Sequence, residues 1–289
     1  MGYDRGGAMA GPGSAKGNGE ERYHVRSVDR ALSILRLFLV GEKEYSLSDI
    51  SSRIHLPPST AFRLLVTLKG SGLIEQNEQK GRYRLGTTSL ALGGAFLRHS
   101  DLRQSAKSHL EALRDFSGET VHLAILNKNE VIYLDKLSGL HPIGLMSSRV
   151  GDRAPAHCTG LGKALLSQLA EDELRARFAD VGLTRFTART ITDLQQLLAD
   201  LAATRARGYA MDVEEHEPGV ACVAAPIFDP GGIVAAVSVA GPRQRILDRI
   251  TSGNLADRVR ATAAEISARL GGGQGAKSRP QSAREAPGS

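Results

Sequence analysis

The chain has 289 residues, of which 41% are apolar and 24% charged, a composition typical of folded globular proteins and sufficient for about two domains. Its two cysteines are too few for a disulfide framework, so we expect a cytoplasmic protein. The net charge is +6, and residues 24–86 hold ten basic against six acidic side chains. That excess favours a polyanionic partner for this block without identifying one.

Both ends of the chain have compositions that cannot form a core. Residues 1–23 and 271–289 are rich in Gly, Ser and Pro, and we predict that both are disordered tails. The most apolar run, residues 233–240, is eight residues long, well short of the roughly 20 that a membrane helix needs. We therefore expect no membrane partner.

Three helices are predicted in the first folded block. Apolar residues spaced three and four apart begin at Val28, with Ser27 as the expected N-cap and Gly41 as the stop. Residues 46–49 read Ser-Leu-Ser-Asp, a capping-box pattern that opens a second, short helix. The third helix begins at Pro58 and ends near Lys69. Its predicted apolar face consists of Ala61, Leu64, Leu65 and Leu68.

Two short strands follow, at residues 73–76 and 82–85, joined by a turn at residues 77–81. Three helices and a β-hairpin are the outline of a winged helix-turn-helix, which inserts its third helix into the major groove of DNA. The side chains outside the apolar face, with the cations of the wing, are the predicted DNA contacts: Ser59, Thr60, Phe62, Arg63, Thr67, Lys80, Arg82 and Arg84. Among them Arg63 is the expected guanine contact. The alternative is a small helical subdomain whose charges only solvate its surface.

Two further helices are predicted at residues 88–99 and 102–116. The first is apolar on nearly all sides and must be covered by other protein. It is either an interdomain connector with a dimer contact or a helix buried within one chain.

From residue 119 the pattern becomes mixed, and we predict an α+β domain built on antiparallel hairpins. The predicted strands are residues 120–126, 131–137, 209–213, 220–228 and 233–240. The predicted helices are residues 160–168, 171–179 and 193–207, with one long final helix at 243–270.

Three features of this domain suggest chemistry. Small residues at 156–165 open a helix whose free amides suit a carboxylate. The acidic run at 212–217 is an alternative metal site, but it lacks an established ligand spacing, and we predict neither a metal nor a cofactor. Cys158 or Cys222, with His157 or His216 as base, is an alternative nucleophile. If His157 and Cys158 lie on a strand they point to opposite faces, so we predict no catalysis.

Three segments together resemble the IclR family of bacterial transcriptional regulators. They are Leu-Pro-Pro-Ser-Thr-Ala-Phe-Arg-Leu-Leu at 56–65, Ala-His-Cys-Thr-Gly-Leu-Gly-Lys-Ala at 156–164, and Asp-Val-Glu-Glu-His-Glu-Pro-Gly at 212–219. The resemblance covers residues 24–270. It implies a winged helix-turn-helix at 24–86, a linker helix at 87–100 and a GAF-like effector-binding domain at 101–270.

The resemblance also implies a function. We expect a ligand-responsive DNA-binding regulator, more often a repressor, whose affinity for a two-fold symmetric double-stranded operator changes with a small organic acid. It would act as a homodimer or a dimer of dimers. The alternative is a metabolite-binding or enzymatic α+β protein whose N-terminal helices mediate protein contacts.

By the same resemblance, eight residues are expected to contact the effector. They are Leu145, Met146, Thr159, Gly160, Leu161, Asp212, Cys222 and Ser238. The sequence departs from the family at Ala240, where some members have a second serine, and at Leu161, where a smaller residue can occur. We therefore expect a pocket less polar than one for the smallest acids.

Overall fold

The structure is a computed structural model that describes residues 24–140 and 148–272. The chain divides into two compact units, Met1–Phe96 and Leu97–Ser289, and the division falls inside the helix Thr87–Arg98. The tails, apart from residues 271 and 272, lie outside the described residues, as do Leu145 and Met146. The domain boundaries expected from the sequence remain a prediction.

The first unit has the predicted order of three helices, a hairpin and a further helix. Its elements are α1 (Arg26–Val40), α2 (Leu47–Arg53), α3 (Pro58–Gly70), β1 (Ile74–Gln76), β2 (Tyr83–Leu85) and α4 (Thr87–Arg98). β1 and β2 pair antiparallel. The core is a cluster of buried side chains: Ile34, Tyr45, Ile50, Leu65, Leu68, Ile74 and Tyr83.

Local signals explain where these helices begin. Ser46 and Asp49 form the predicted capping box at the start of α2. Pro58 is the first residue of α3, where its missing N–H costs nothing. The predicted cap at Ser27 is wrong, because α1 starts one residue earlier, at Arg26, with Val25 at the capping position and no side-chain cap.

The second unit is an α+β fold, as predicted. Its helices are α5 (Asp101–Ser117), α6 (Gly160–Leu166), α7 (Glu171–Phe178), α8 (Leu194–Arg207), α9 (Arg243–Ser252) and α10 (Leu255–Arg269). Its strands are β3 (Thr120–Asn127), β4 (Glu130–Leu137), β5 (Arg153–Pro155), β6 (Ala210–Val213), β7 (Val220–Asp229) and β8 (Gly232–Pro242). They form one antiparallel sheet in the order β5-β4-β3-β8-β7-β6.

The two faces of this sheet differ. One face carries larger aliphatic side chains and packs against α5, α9 and α10. The other, which we call the α6 face, is covered by α6 and is rich in alanine. Small residues allow α6 to approach closely, and a Cβ on Gly162 would lie 2.2 Å from the Ala156 carbonyl oxygen. The α6 face also carries buried polar side chains, among them Asp212 and Ser238.

Two expectations for this unit are corrected. The predicted single helix at 243–270 is two helices, because Asn254, between α9 and α10, adopts a left-handed conformation with φ of 54°. The sequence reading also missed β5 and the 3₁₀ turn Ala156–Cys158 that leads into α6. Among the described residues, no helix is long and apolar enough to cross a membrane.

Candidate DNA-binding surface and effector site

The outer face of α3 presents the predicted DNA contacts. Ser59, Phe62, Arg63 and Thr67 are exposed and Thr60 is half-buried, while Ala61, Leu65 and Leu68 face the core. The turn before α3 is held by the Ser51 hydroxyl, which donates to the Leu56 carbonyl oxygen at 2.5 Å. A firmly held helix with an exposed polar face has the shape that enters the major groove.

The wing is less cationic than its sequence suggests. Arg82 lies 3.8 Å from both Glu42 and Asp49 and donates to the Glu44 carbonyl oxygen at 3.2 Å. Arg84 pairs with Glu75 at 3.2 Å. Lys80, in the turn, is exposed and has no ion-pair partner within the described residues. DNA would have to draw both arginines away from these carboxylates.

Strand register gathers the predicted effector residues of the sheet on the α6 face. Asp212 lies opposite Cys222 across β6 and β7, and Ser238 lies opposite Ala224 across β7 and β8. Directly opposed residues share a face, and alternate residues of one strand do too. The Ser238 hydroxyl is fully buried, and the weakly polar Cys222 thiol is its neighbour on this face; among the described residues it makes no hydrogen bond to oxygen or nitrogen.

The start of α6 completes this group. Thr159 caps the helix: its hydroxyl accepts the Gly162 N–H at 3.2 Å and donates to the Pro155 carbonyl oxygen at 2.9 Å. The Gly160 N–H faces the Cys222 sulfur, and a Cβ at position 160 would lie 2.7 Å from that atom. Leu161 is buried in the core of this face. The structure thus brings together six of the eight expected effector residues.

Asp212 is the titratable group at the centre of the site. It is 5% exposed, and its Oδ1 accepts the Glu215 N–H at 2.8 Å. Burial raises the pKa of this carboxyl to about 7, and the Glu215 N–H offsets only part of that effect. Asp212 therefore carries a proton for part of the time at neutral pH.

A buried ion cluster supports the site from behind. The Lys163 ammonium, on α6, lies 2.5 Å from Glu215 Oε1 and 3.0 Å from Asp200 Oδ2. Lys163 is 1% exposed. Although burial lowers the pKa of Lys163, the two carboxylates more than offset this and raise it, so the lysine stays charged. The cluster joins α6, α8 and the loop that follows Asp212.

The sequence reading missed residues on β3 and β4 that share the α6 face. His122 lies opposite Ser238 on one side and Lys136 on the other. Its Nε2 is 2.9 Å from the Ser148 hydroxyl, and its ring contacts Tyr133 at a centroid distance of 5.1 Å. Burial, aided by Lys136, lowers the pKa of His122 to about 3, so the ring is neutral. No motif marks these residues; alternation along β3 was the available signal.

The alternative chemistries find no support in the geometry. His157 and Cys158 lie in a 3₁₀ turn rather than on a strand, and both are buried. Burial raises the pKa of both thiols, to about 12 for Cys222, which leaves them protonated and inert. The acidic run makes ion pairs: Glu214 contacts Arg189 and Arg243. No metal-holding group of His, Cys, Asp or Glu occurs among residues 24–140 and 148–272.

A helix-turn-helix unit joined to an α+β unit with polar groups gathered on one sheet face defines a ligand-responsive DNA-binding regulator. A family model of the IclR helix-turn-helix domain matches residues 27–78. A second model, of the C-terminal part of the bacterial transcriptional regulator IclR, matches residues 94–268. The chain belongs to the IclR family of bacterial transcriptional regulators and is not an enzyme.

Relatives of similar length support this assignment. The chain is 40% identical over 257 residues to the HTH-type transcriptional regulator BhcR of Paracoccus denitrificans, covering 88% of this chain and 91% of that protein. It is 38% identical over 249 residues to the HTH-type transcriptional repressor AllR of Escherichia coli K12, with coverages of 86% and 91%. An IclR homolog from Microbacterium hydrocarbonoxydans, crystallised with 4-hydroxybenzoate, matches with a TM-score of 0.73 and 29% identity, over 84% of this chain and 98% of that one.

The burial of Asp212 makes stability depend on pH. In the unfolded chain its carboxyl ionises near pH 4, whereas the folded protein holds the proton up to about pH 7. Each pH unit between these values therefore disfavours wild-type folding by about 1.4 kcal/mol. We expect Asp212→Asn, which keeps the acceptor oxygen, to gain stability relative to wild type across this window and to level off above it.

Urea unfolding at a series of pH values measures this difference. Asp180→Asn, which changes an exposed carboxyl, is the matched control and should follow wild type throughout. A stability difference for Asp212→Asn that stays constant from pH 4 to about pH 7 would contradict the assignment of the buried proton.

Proposed function

We propose that this protein is a repressor that binds a two-fold symmetric operator as a dimer and changes its operator affinity when a small organic acid binds to the α6 face. The observation that carries the effector part is the convergence of Gly160, Asp212, Cys222 and Ser238 at the start of α6. As a DNA-binding transcriptional regulator of a bacterial family, it would act in the cytoplasm. One of the relatives named above, AllR, is a repressor, and this supports repression.

The DNA-binding proposal rests on the exposed face of α3. Arg63 and Phe62 protrude from its middle, and Ser59 and Thr60 lie in its first turn. An arginine reads guanine through two hydrogen bonds, whereas hydroxyls bind bases or phosphates. Lys80 at the tip of the wing adds a phosphate contact. We therefore assign base recognition to α3, and to the wing the phosphate contacts that position the protein on the duplex.

Arg63→Ala tests this assignment. We expect it to weaken binding to the DNA upstream of the protein's own gene by about 1–3 kcal/mol, roughly 5- to 150-fold, because a bidentate base contact is lost. Gel shifts measure the affinity. Arg269→Ala removes an exposed arginine from α10 and should bind as wild type does. Equal affinity for both variants would show that α3 does not read the operator.

The dimer proposal rests on apolar surface in the first unit. On α4, Leu90 is 79% and Phe96 61% exposed. On α1, Val28 and Leu32 are exposed although their spacing predicts a buried face. Exposed apolar groups of this number in one small unit are typical of a protein interface. We infer that a second copy of the chain covers them; whether dimers pair into tetramers is a further expectation.

Leu90→Glu tests the interface. A carboxylate in an apolar interface costs several kcal/mol, so we expect the variant to sediment as a monomer at concentrations where wild type is a dimer. Val181→Glu places the same charge on an exposed apolar residue of the second unit and should leave the mass unchanged. Analytical ultracentrifugation distinguishes the two, and a dimeric Leu90→Glu would place the interface elsewhere.

The effector proposal rests on buried hydrogen-bond donors for which the protein itself supplies no strong acceptor. The buried Ser238 hydroxyl has only the Cys222 thiol beside it, and the Leu161 N–H in the first turn of α6 has no helical acceptor. The Gly160 and Gly162 amides face Cys222 and Thr159 instead. A carboxylate supplies the acceptors that the Ser238 hydroxyl and the Leu161 N–H lack. The homolog crystallised with 4-hydroxybenzoate binds an acid of this kind. Organic acids are therefore the effector class we propose.

Thermal shift and gel-shift titrations with 4-hydroxybenzoate, lactate and pyruvate, beside their amides, test this class. We expect at least one acid, and no amide, to stabilise the protein and change operator affinity. Ser238→Ala should weaken the binding of that acid by about 0.5–1.5 kcal/mol, which raises its Kd roughly 2- to 12-fold, because the substitution removes one hydrogen bond. Ser252→Ala, at an exposed serine, is the control. If no acid affects either measurement, the effector class is wrong.

A further inference from the structure

The charged groups around Asp212 do not balance. Three carboxylates, those of Asp200, Asp212 and Glu215, lie close to one ammonium group, that of Lys163. The Lys163 Nζ already forms ion pairs with Glu215 Oε1 at 2.5 Å and with Asp200 Oδ2 at 3.0 Å. Asp212 receives a backbone N–H instead of a cation. The site therefore holds a surplus of negative charge before any effector arrives.

The other titratable groups that face Asp212 supply no positive charge. They come from three elements: Cys222 on β7, Cys158 in the turn before α6, and Tyr133 on β4. Burial raises the pKa of both thiols and of the tyrosine. All three are neutral near pH 7.

An acid entering this site brings a further negative charge. Two carboxylates side by side at a buried position repel each other strongly, and one of them then keeps a proton. Asp212 is the group placed to hold it, because its carboxyl is contacted by the backbone N–H groups of Glu215 and His216 and pairs with no cation. Burial has already raised the pKa of this carboxyl to about 7.

We infer that Asp212 meets the effector's carboxylate as a protonated carboxyl group, so that binding of an acid takes up one proton from solvent. The inference rests on the proposed effector function. The Asp212 O–H donates to the effector's carboxylate oxygen, the proton comes from the buffer, and no bond of the effector changes. Affinity for an acid then falls as the pH rises above 7.

Calorimetry of 4-hydroxybenzoate, lactate and pyruvate in buffers of different ionisation enthalpy measures this proton directly. Above pH 7 we expect uptake to approach about one proton per acid bound, and Kd to rise about tenfold for each pH unit. The wild-type series is decisive by itself and does not depend on any variant being folded. Acid binding with no proton uptake overturns the inference and leaves the effector class standing, whereas a complete lack of acid binding overturns both.

Variants assign the proton to its residue. We expect Asp212→Asn to bind acid without proton uptake and with a Kd independent of pH, while Asp180→Asn behaves as wild type. Lys136→Met removes the cation that lies opposite His122 on β4, and it should retain the uptake. Undiminished uptake in Asp212→Asn, or its loss in Lys136→Met, would show that another group receives the proton.

Discussion

The ion cluster centred on Lys163 is the constraint on which the effector domain's site depends. It joins α6, α8 and the loop after β6, which are distant in sequence, at a side chain that is 1% exposed. Removing one partner of such a buried pair costs about 3–5 kcal/mol. The loop is also tied by Thr190, which donates to the Glu215 carbonyl oxygen at 2.6 Å. Because the Glu215 N–H holds Asp212, the cluster sets the geometry of the Asp212 carboxyl.

Features encoded within a few neighbouring residues could be predicted from the sequence. The capping box at Ser46, the proline that opens α3 and the hairpin turns all specify structure through contacts within one turn of chain. The candidate effector residues Asp212, Cys222 and Ser238 are expected from family resemblance, and their shared face follows from strand register. Apolar periodicity alone did not show the break at Asn254, although Gly253 and Asn254 are residue types that commonly end helices and adopt left-handed backbone.

Contacts between residues that are distant in the sequence could not be predicted from the sequence. His122 faces Ser238 only because β3 and β8 are neighbours in the sheet, an order that local pattern does not encode. Glu215, one of the two partners of Lys163, lies 52 residues away in the sequence. Likewise, spacing in α1 indicates an apolar face at Val28 and Leu32 without indicating what covers it. In each case the deciding information is a pairing of elements rather than the residues of one element.

The ion pairs within the wing have a consequence for how binding responds to salt. Arg82 and Arg84 already face the carboxylates of Glu42, Asp49 and Glu75, so an arginine that contacted a DNA phosphate would exchange one anion for another. The freed carboxylates then repel the duplex or recruit cations, which offsets part of the counterion release that normally accompanies a phosphate contact. The salt dependence of operator affinity would therefore be shallower than a count of the basic residues at the interface suggests.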